Sequence, residues 1–247
     1  MLVWLSSYPR SGNTLTRTIL NRVFGLETYS EYNDRFDLGI SEVVSSSVGH
    51  RTYAETWDDF YSRISVDDTI NLVKTHGPAQ DDNPAIYIVR DPRSAIISQF
   101  HYFRSHPLTR ADFSIPQLID GQSFGSDWSS NLDAWHPLDR PHTLFLRYEE
   151  ILSEPDRIIA LISDFLKMPV VAAWQNPFES QKELLPTFFR TASDQANLAE
   201  WTVDDLHVLW ERHGDWMSRL GYGDDGAVAG NSRSLDKPPS QIVSHWR

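Results

Sequence analysis

Short apolar runs alternate with amphipathic stretches along most of the 247 residues. The short runs are rich in Val, Ile and Leu, as in strands covered on both faces, and comprise residues 2–7, 69–75, 85–89 and 142–146. The amphipathic stretches have helical spacing and comprise residues 14–24, 53–64, 92–104, 128–135, 156–166 and 203–220. This alternation predicts an α/β fold of three layers, with a central, mainly parallel sheet flanked by helices.

Three regions lack such periodicity. Residues 26–51 are irregular and polar, and residues 184–190 read as a loop that returns across the core. Residues 223–247 are rich in Gly, Ser, Asp and Pro, which is typical of a segment that buries too little apolar surface to fold. We therefore predict one domain over residues 1–222 and a flexible C-terminal tail over residues 223–247.

Composition and charge narrow the classes of function. The chain has no Cys, which excludes disulfides, thiolate metal sites and cysteine nucleophiles. Its net charge of −12 disfavours nucleic acid as a partner, because phosphates would be repelled over most of the surface. No apolar run approaches the roughly 20 residues that span a bilayer, so we expect no membrane association and a cytoplasmic protein. An anionic ligand would need a local basic pocket, for which the candidates are Arg10, Arg17, Lys74, Arg90 and Arg93.

The first candidate site is the loop Ser7-Tyr-Pro-Arg-Ser-Gly-Asn-Thr14, which follows a predicted strand and opens a predicted helix. Backbone N–H groups and the helix dipole at such a junction can hold phosphate, which makes the predicted fold P-loop-like. The spacing nearly matches Gly-x-x-x-x-Gly-Lys-Ser/Thr, but Asn13 stands where ATP-dependent phosphoryl transfer needs the lysine. The positive charge, Arg10, lies inside the loop instead. The alternative interpretation is a plain turn after an edge strand.

The second candidate site is Arg90-Asp-Pro-Arg-Ser-Ala-Ile-Ile-Ser98, at the next strand-to-helix junction. Each arginine near a helix N-terminus costs about 0.3–1 kcal/mol unless an anion is bound there. Either these arginines bind an anion, or Asp91 pairs with Arg93 and Ser98 is a small packing residue. The residue pattern alone leaves both interpretations open.

The third candidate is His76, which follows Lys74 and Thr75 at the end of a predicted strand. Parallel α/β sheets place their ligands at this edge, and a histidine there can act as a general base near neutral pH. The alternative is an ordinary polar loop residue. Its position between the two candidate phosphate sites favours the catalytic interpretation.

In the same order along the chain, these segments resemble those of the PAPS-dependent sulfotransferase family, whose donor is 3′-phosphoadenosine 5′-phosphosulfate. The first loop resembles the family's Tyr-Pro-Lys-Ser-Gly-Thr-Thr, with Arg10 in place of the lysine. The segment that begins at Lys74 resembles its Lys-Thr-His-Leu-Pro, which holds the catalytic histidine. Arg90 and Ser98 have the spacing of the family's pair that binds the donor's 3′-phosphate.

Two further segments extend the resemblance. Leu146-Arg-Tyr148 resembles the segment whose tyrosine lies beside the donor, and Phe188-Phe-Arg190 resembles the start of an Arg-Lys-Gly loop. The chain departs from the family pattern at Leu15, where a tryptophan would stack on adenine. Thr191 and Ala192 stand where Lys and Gly are expected.

The resemblance implies transfer of a sulfuryl group to a hydroxyl or amine of a small-molecule acceptor, by in-line displacement and without a metal. It assigns catalysis to His76 as general base, aided by Lys74 and Arg10. It assigns donor binding to Arg10, Ser11, Gly12, Asn13, Thr14, Arg90, Ser98, Tyr148 and Arg190. We expect a monomer or homodimer. Two other functions stay open, a P-loop kinase or nucleoside triphosphatase and a non-catalytic nucleotide-binding protein.

Overall fold

The computed structural model describes residues 1–33, 45–46, 48–105, 111–184, 198–223 and 237–245. Its strands are β1 (Leu2–Ser7), β2 (Thr28–Ser30), β3 (Asn71–Thr75), β4 (Ala85–Val89), β5 (Thr143–Arg147) and β6 (Gln241–Ile242). Its helices are α1 (Asn13–Phe24), α2 (Trp57–Ser65), α3 (Pro92–Ser105), α4 (Ile115–Ile119), α5 (Trp128–Trp135), α6 (Tyr148–Ser153), α7 (Pro155–Leu166), α8 (Phe178–Leu184) and α9 (Val203–Arg219). A short 3₁₀ helix spans Leu198–Glu200.

The described strands form one six-stranded sheet in the order β2-β3-β1-β4-β5-β6. The first five are parallel, and β6 runs antiparallel to β5. Leu5 of β1 lies opposite Lys74 of β3 on one side and Ile86 of β4 on the other. The three central strands therefore end together at one edge of the sheet, where ligands bind in parallel α/β folds.

Alternate side chains of the strands enter two separate cores. Val3 and Leu5 of β1 pack with apolar residues of α1, α6 and α7. Leu2 and Trp4 pack on the opposite face with residues of α2, α3, α5 and α9. This alternation gives a helix–sheet–helix sandwich and confirms the predicted α/β fold. None of the described helices is long and apolar enough to cross a membrane.

One prediction of local structure is wrong, because the region predicted to be irregular contains the short strand β2, which pairs with β3. The domain boundary at residue 222 and the flexible tail over residues 223–247 stay predictions. Within that tail the structure describes residues 237–245, where the chain is ordered and β6 extends the sheet. Buried Ser240 explains this order, because its hydroxyl accepts from the Arg147 N–H at 2.8 Å and its own N–H donates to Glu150 at 2.9 Å. A two-residue strand has no periodicity by which the sequence could reveal it.

Candidate active site

The loop between β1 and α1 has the backbone of an anion site. Arg10 and Gly12 have φ values of 65° and 103°, in the left-handed region. A Cβ atom on Gly12 would lie 2.5 Å from Cδ2 of Tyr148, so only glycine fits beneath that ring. Among the described residues, no side chain caps α1 and no acidic residue occupies its first turn. The unpaired N–H groups and the helix dipole therefore remain available to a phosphate.

The side chains of this loop differ in the polar groups that they leave without a partner among the described residues. Asn13 is buried, and its amide donates to the Leu5 carbonyl oxygen at 3.0 Å and the Ser7 hydroxyl at 3.4 Å. Because that amide is turned inward, Asn13 offers a ligand mainly its backbone N–H. The Ser11 hydroxyl is buried and has no hydrogen-bond partner among the described residues. Thr14 is half-buried in the first turn of α1.

The junction between β4 and α3 meets this loop directly. Arg90 is buried, donates from Nη1 to the Arg10 carbonyl oxygen at 3.0 Å and stacks 4.2 Å from the centre of the Tyr148 ring. Two turns into α3, the Ser98 hydroxyl accepts from Nε of Arg10 at 3.1 Å. Within the described part of the chain, Nε of Arg90 has no hydrogen-bond partner. The two junctions thus form one continuous basic and hydroxylic surface.

Arg93 pairs with Asp91, which is the second of the two interpretations of this motif. Its guanidinium forms a buried ion pair with Asp91 at 2.5 Å. The Asp91 N–H in turn donates to Glu149 at 2.9 Å, and burial raises the pKa of the Glu149 carboxyl group. Arg93 therefore braces the start of α3, whereas Arg90 faces the loop. Arg17 also lies elsewhere: it is buried and donates to the hydroxyl of Thr28 at 2.7 Å.

His76 lies immediately beyond β3, beside the first junction. It is buried, and its Nδ1 lies 2.7 Å from the Ser7 carbonyl oxygen. The Asn131 amide donates to the His76 carbonyl oxygen at 3.0 Å, and the His76 N–H donates to the Tyr32 hydroxyl at 3.0 Å. Lys74, two residues earlier, is buried at the end of the same strand. The backbone of His76 is therefore fixed from two sides, and the Ser7 carbonyl oxygen orients its imidazole.

Two residues of α3 that contact the loop were not among the residues predicted from the sequence, Tyr102 and Gln99. Tyr102 lies one turn beyond Ser98, and the Arg10 guanidinium stacks 5.1 Å from the centre of its ring. Tyr8 of the loop donates to Gln99 of α3 at 2.8 Å. Helical spacing from Ser98 could have suggested Tyr102, but no pattern predicts the Gln99 contact. Arg190, Thr191 and Ala192 lie outside the described residues.

Comparison with known proteins identifies the family. The model of the sulfotransferase domain family matches residues 2–187. The luciferin sulfotransferase of Photinus pyralis is 36% identical over 84 residues, which are 33% of this chain and 23% of that protein. The amine sulfotransferase of Oryctolagus cuniculus is 25% identical over 191 residues, which are 67% of this chain and 56% of that protein. The matched segments thus cover less than two thirds of the length of each of these relatives.

Solved structures show the same fold. Mouse sulfotransferase SULT7A1 complexed with PAP superimposes with a TM-score of 0.60 at 17% identity, covering 87% of this chain and 84% of that chain. Retinol dehydratase in complex with androsterone and the inactive cofactor PAP also gives 0.60, at 18% identity, covering 87% of this chain and 80% of that chain. Because the family model spans most of the sequence, this chain belongs to the sulfotransferase domain family.

Proposed function

We propose that this chain binds 3′-phosphoadenosine 5′-phosphosulfate across its two strand-to-helix junctions and transfers the sulfuryl group to a hydroxyl or amine of a small molecule. The observation that carries the proposal is the double role of Arg10. Its carbonyl oxygen accepts from Arg90, and its side chain donates to Ser98. Arg10, which belongs to the first candidate phosphate site, thereby contacts both Arg90 and Ser98 of the second.

The polar groups at the site fit an anionic nucleotide. Ser11 and Arg90 each keep a buried polar atom without a hydrogen-bond partner among the described residues. A buried donor that lacks a partner costs about 1–3 kcal/mol, and a bound phosphate would remove that cost. The two similar structures that contain PAP, adenosine 3′,5′-bisphosphate, support this ligand class.

The donor would be held by separate groups at its two ends. The backbone N–H groups of Gly12, Asn13 and Thr14, the Ser11 hydroxyl and the Arg10 side chain would bind the 5′-phosphosulfate. Arg90 and Ser98 would bind the 3′-phosphate, with Tyr148 beside the nucleotide. Arg190 is proposed for the 3′-phosphate from the family resemblance alone. When bound, the donor supplies the electrophilic sulfuryl group.

His76 is proposed as the general base. The Ser7 carbonyl oxygen accepts a hydrogen bond from Nδ1, so the proton of the neutral ring lies there and the lone pair lies on Nε2. Nε2 would take the proton of the acceptor hydroxyl or amine as that group attacks. Lys74 and Arg10 would neutralise the negative charge that grows on the leaving side.

Replacement of Arg90 by Ala tests the proposal. We expect Arg90→Ala to weaken binding of adenosine 3′,5′-bisphosphate by about 1.5–3 kcal/mol, the range for a hydrogen bond to a charged group, measured by calorimetry. Arg104→Ala is the matched control, because Arg104 lies on α3 with its guanidinium exposed and paired with Asp112. Unchanged affinity in Arg90→Ala would remove this residue from the site.

The same titration separates the rival functions. A P-loop kinase would bind ATP with Mg²⁺ in preference to the bisphosphate, although the inward amide of Asn13 gives no lysine-like contact to the β/γ-phosphates. A non-catalytic protein would bind the bisphosphate tightly and transfer no label to any member of a panel of phenols, alcohols and amines.

A further inference from the structure

A carboxylate borders the proposed base. Glu31 follows β2, and its N–H donates to the Lys74 carbonyl oxygen at 3.0 Å, which continues the pairing of β2 with β3. Its Oε2 accepts from the Thr75 hydroxyl at 2.5 Å and lies 3.7 Å from the point that a Cβ on Gly77 would occupy. Thr75 and Gly77 are the residues on either side of His76. The Glu31 carboxylate therefore lies against both chain neighbours of His76.

The Glu31 carboxylate is bonded only by neutral groups within the part of the chain that the structure describes. Its hydrogen-bond donors there are the Thr75 hydroxyl and the Gln80 amide, both uncharged. Over the described ranges, no lysine or arginine nitrogen lies within ion-pair distance of this carboxylate. Asp91, by contrast, forms an ion pair with Arg93. A half-buried carboxylate held by neutral donors is suited to a cationic ligand group.

Two aromatic rings lie beside His76, and one of them belongs to Tyr32, the residue that follows Glu31. Tyr32 stacks on His76 with ring centres 6.4 Å apart, and Phe124 meets Tyr32 edge-on at 5.0 Å. Phe124 is 53% exposed and Tyr32 is 37% exposed, although large aromatic side chains are mostly buried in proteins. Exposed rings of this kind mark binding surfaces, and their faces attract cations as well as aromatic groups.

We propose that Glu31, with Tyr32 and Phe124, binds the ammonium group of the acceptor, so that the acceptor is an aryl or alkyl alcohol that also carries a protonated amine. This inference rests on the proposed function, since it places the acceptor hydroxyl at His76. The amine stays protonated because the Glu31 carboxylate stabilises the charged ammonium form. The hydroxyl, not the amine, is then the nucleophile.

Equilibrium binding of a matched pair of phenols tests the proposal. Tyramine and para-propylphenol have similar size, but only tyramine is cationic at neutral pH. We expect the wild type to bind tyramine about tenfold more tightly than para-propylphenol, the size of effect of one charge-assisted hydrogen bond. Glu31→Gln should lower tyramine affinity about tenfold and leave para-propylphenol unchanged. Glu27→Gln is the control, because its carboxylate already pairs with Arg51 at 3.1 Å.

Each titration is made with and without adenosine 3′,5′-bisphosphate, which separates the two proposals. If the bisphosphate binds but tyramine has no advantage over para-propylphenol, the ammonium site is wrong and the proposed function stands. An equal loss of affinity for both phenols in Glu31→Gln would also contradict the proposed ammonium site. If the bisphosphate does not bind to wild type, the donor assignment fails, and the amine preference still reports on Glu31.

Discussion

Nδ1 of His76 lies 2.7 Å from the carbonyl oxygen of Ser7, the residue at which β1 passes into the loop before α1. A carbonyl oxygen can only accept, so this contact assigns the ring proton to Nδ1 and the lone pair to Nε2. The backbone of the proposed donor loop thus orients the proposed base.

Replacement of His76 should separate turnover from binding. We expect His76→Ala to lower kcat roughly 10²–10⁴-fold, because a placed base contributes that much to proton transfer. Affinity for adenosine 3′,5′-bisphosphate should stay nearly unchanged. Labelled-donor assays and calorimetry measure the two quantities. His207→Ala on the exposed face of α9 is the control, and a parallel loss of nucleotide binding in His76→Ala would contradict the role.

Gly12 and Tyr148 should be energetically coupled. Gly12→Ala places a methyl group 2.5 Å from the Tyr148 ring at a φ of 103°. We expect it to lower the free energy of unfolding by about 2–4 kcal/mol, of which about 1–2 kcal/mol is backbone strain. In a Tyr148→Ala background only the strain should remain. Denaturant unfolding of the four proteins of this cycle gives the coupling, and strict additivity would show that the ring does not crowd Gly12.

The buried His213 should make stability depend on pH. Burial lowers the pKa of its imidazole to about 4, and the nearby Asp127 carboxylate only partly opposes that shift. The ring accepts from the Ser129 hydroxyl at 2.8 Å and donates to the Ile119 carbonyl oxygen at 3.2 Å. Between a pH of about 6.5 and 4 the unfolded chain binds a proton here that the folded chain does not, so stability falls with falling pH.

The size of this effect can be isolated with a variant. From pH 7 to pH 5, the His213 contribution to the free energy of unfolding should drop by about 2 kcal/mol. His213→Gln, which retains a donor and an acceptor, should remove that part of the slope. His207→Gln should not, because His207 is exposed. Identical pH slopes in the wild type and His213→Gln would show that the imidazole is not held neutral.

Residues 237–245, which include β6, should contribute to the free energy of unfolding. A chain that ends after residue 236 loses β6 and Ser240, which leaves the buried Arg147 N–H without its acceptor. We expect the free energy of unfolding to fall by about 2–3 kcal/mol. Ser240→Ala, which removes only the hydroxyl, should cost about 1 kcal/mol. If the truncated chain is as stable as the full one, the domain ends at the predicted residue 222.

The sequence alone determined the arrangement of layers. β1 and β4 lie at their predicted residues, because continuous apolar runs between turn residues leave few other structures. The loop at residues 7–14 and the segment from Arg90 to Ser98 were recognisable because each follows such a strand and opens a helix. A helix and a buried strand each depend on residues that are close in sequence. Their positions can therefore be predicted from the residue pattern.

Which of these residues act together depends on how the elements pack in three dimensions. Arg90 and Arg93 are three positions apart, yet one faces the Arg10 loop and the other is paired with Asp91. The contact of Glu31 with Thr75 spans 44 residues, and that of Ser240 with Arg147 spans 93. Contacts of such separation depend on the packing of whole elements, which has no period in the sequence. For this reason the motifs could be predicted from the sequence, whereas the residues that contact them could not.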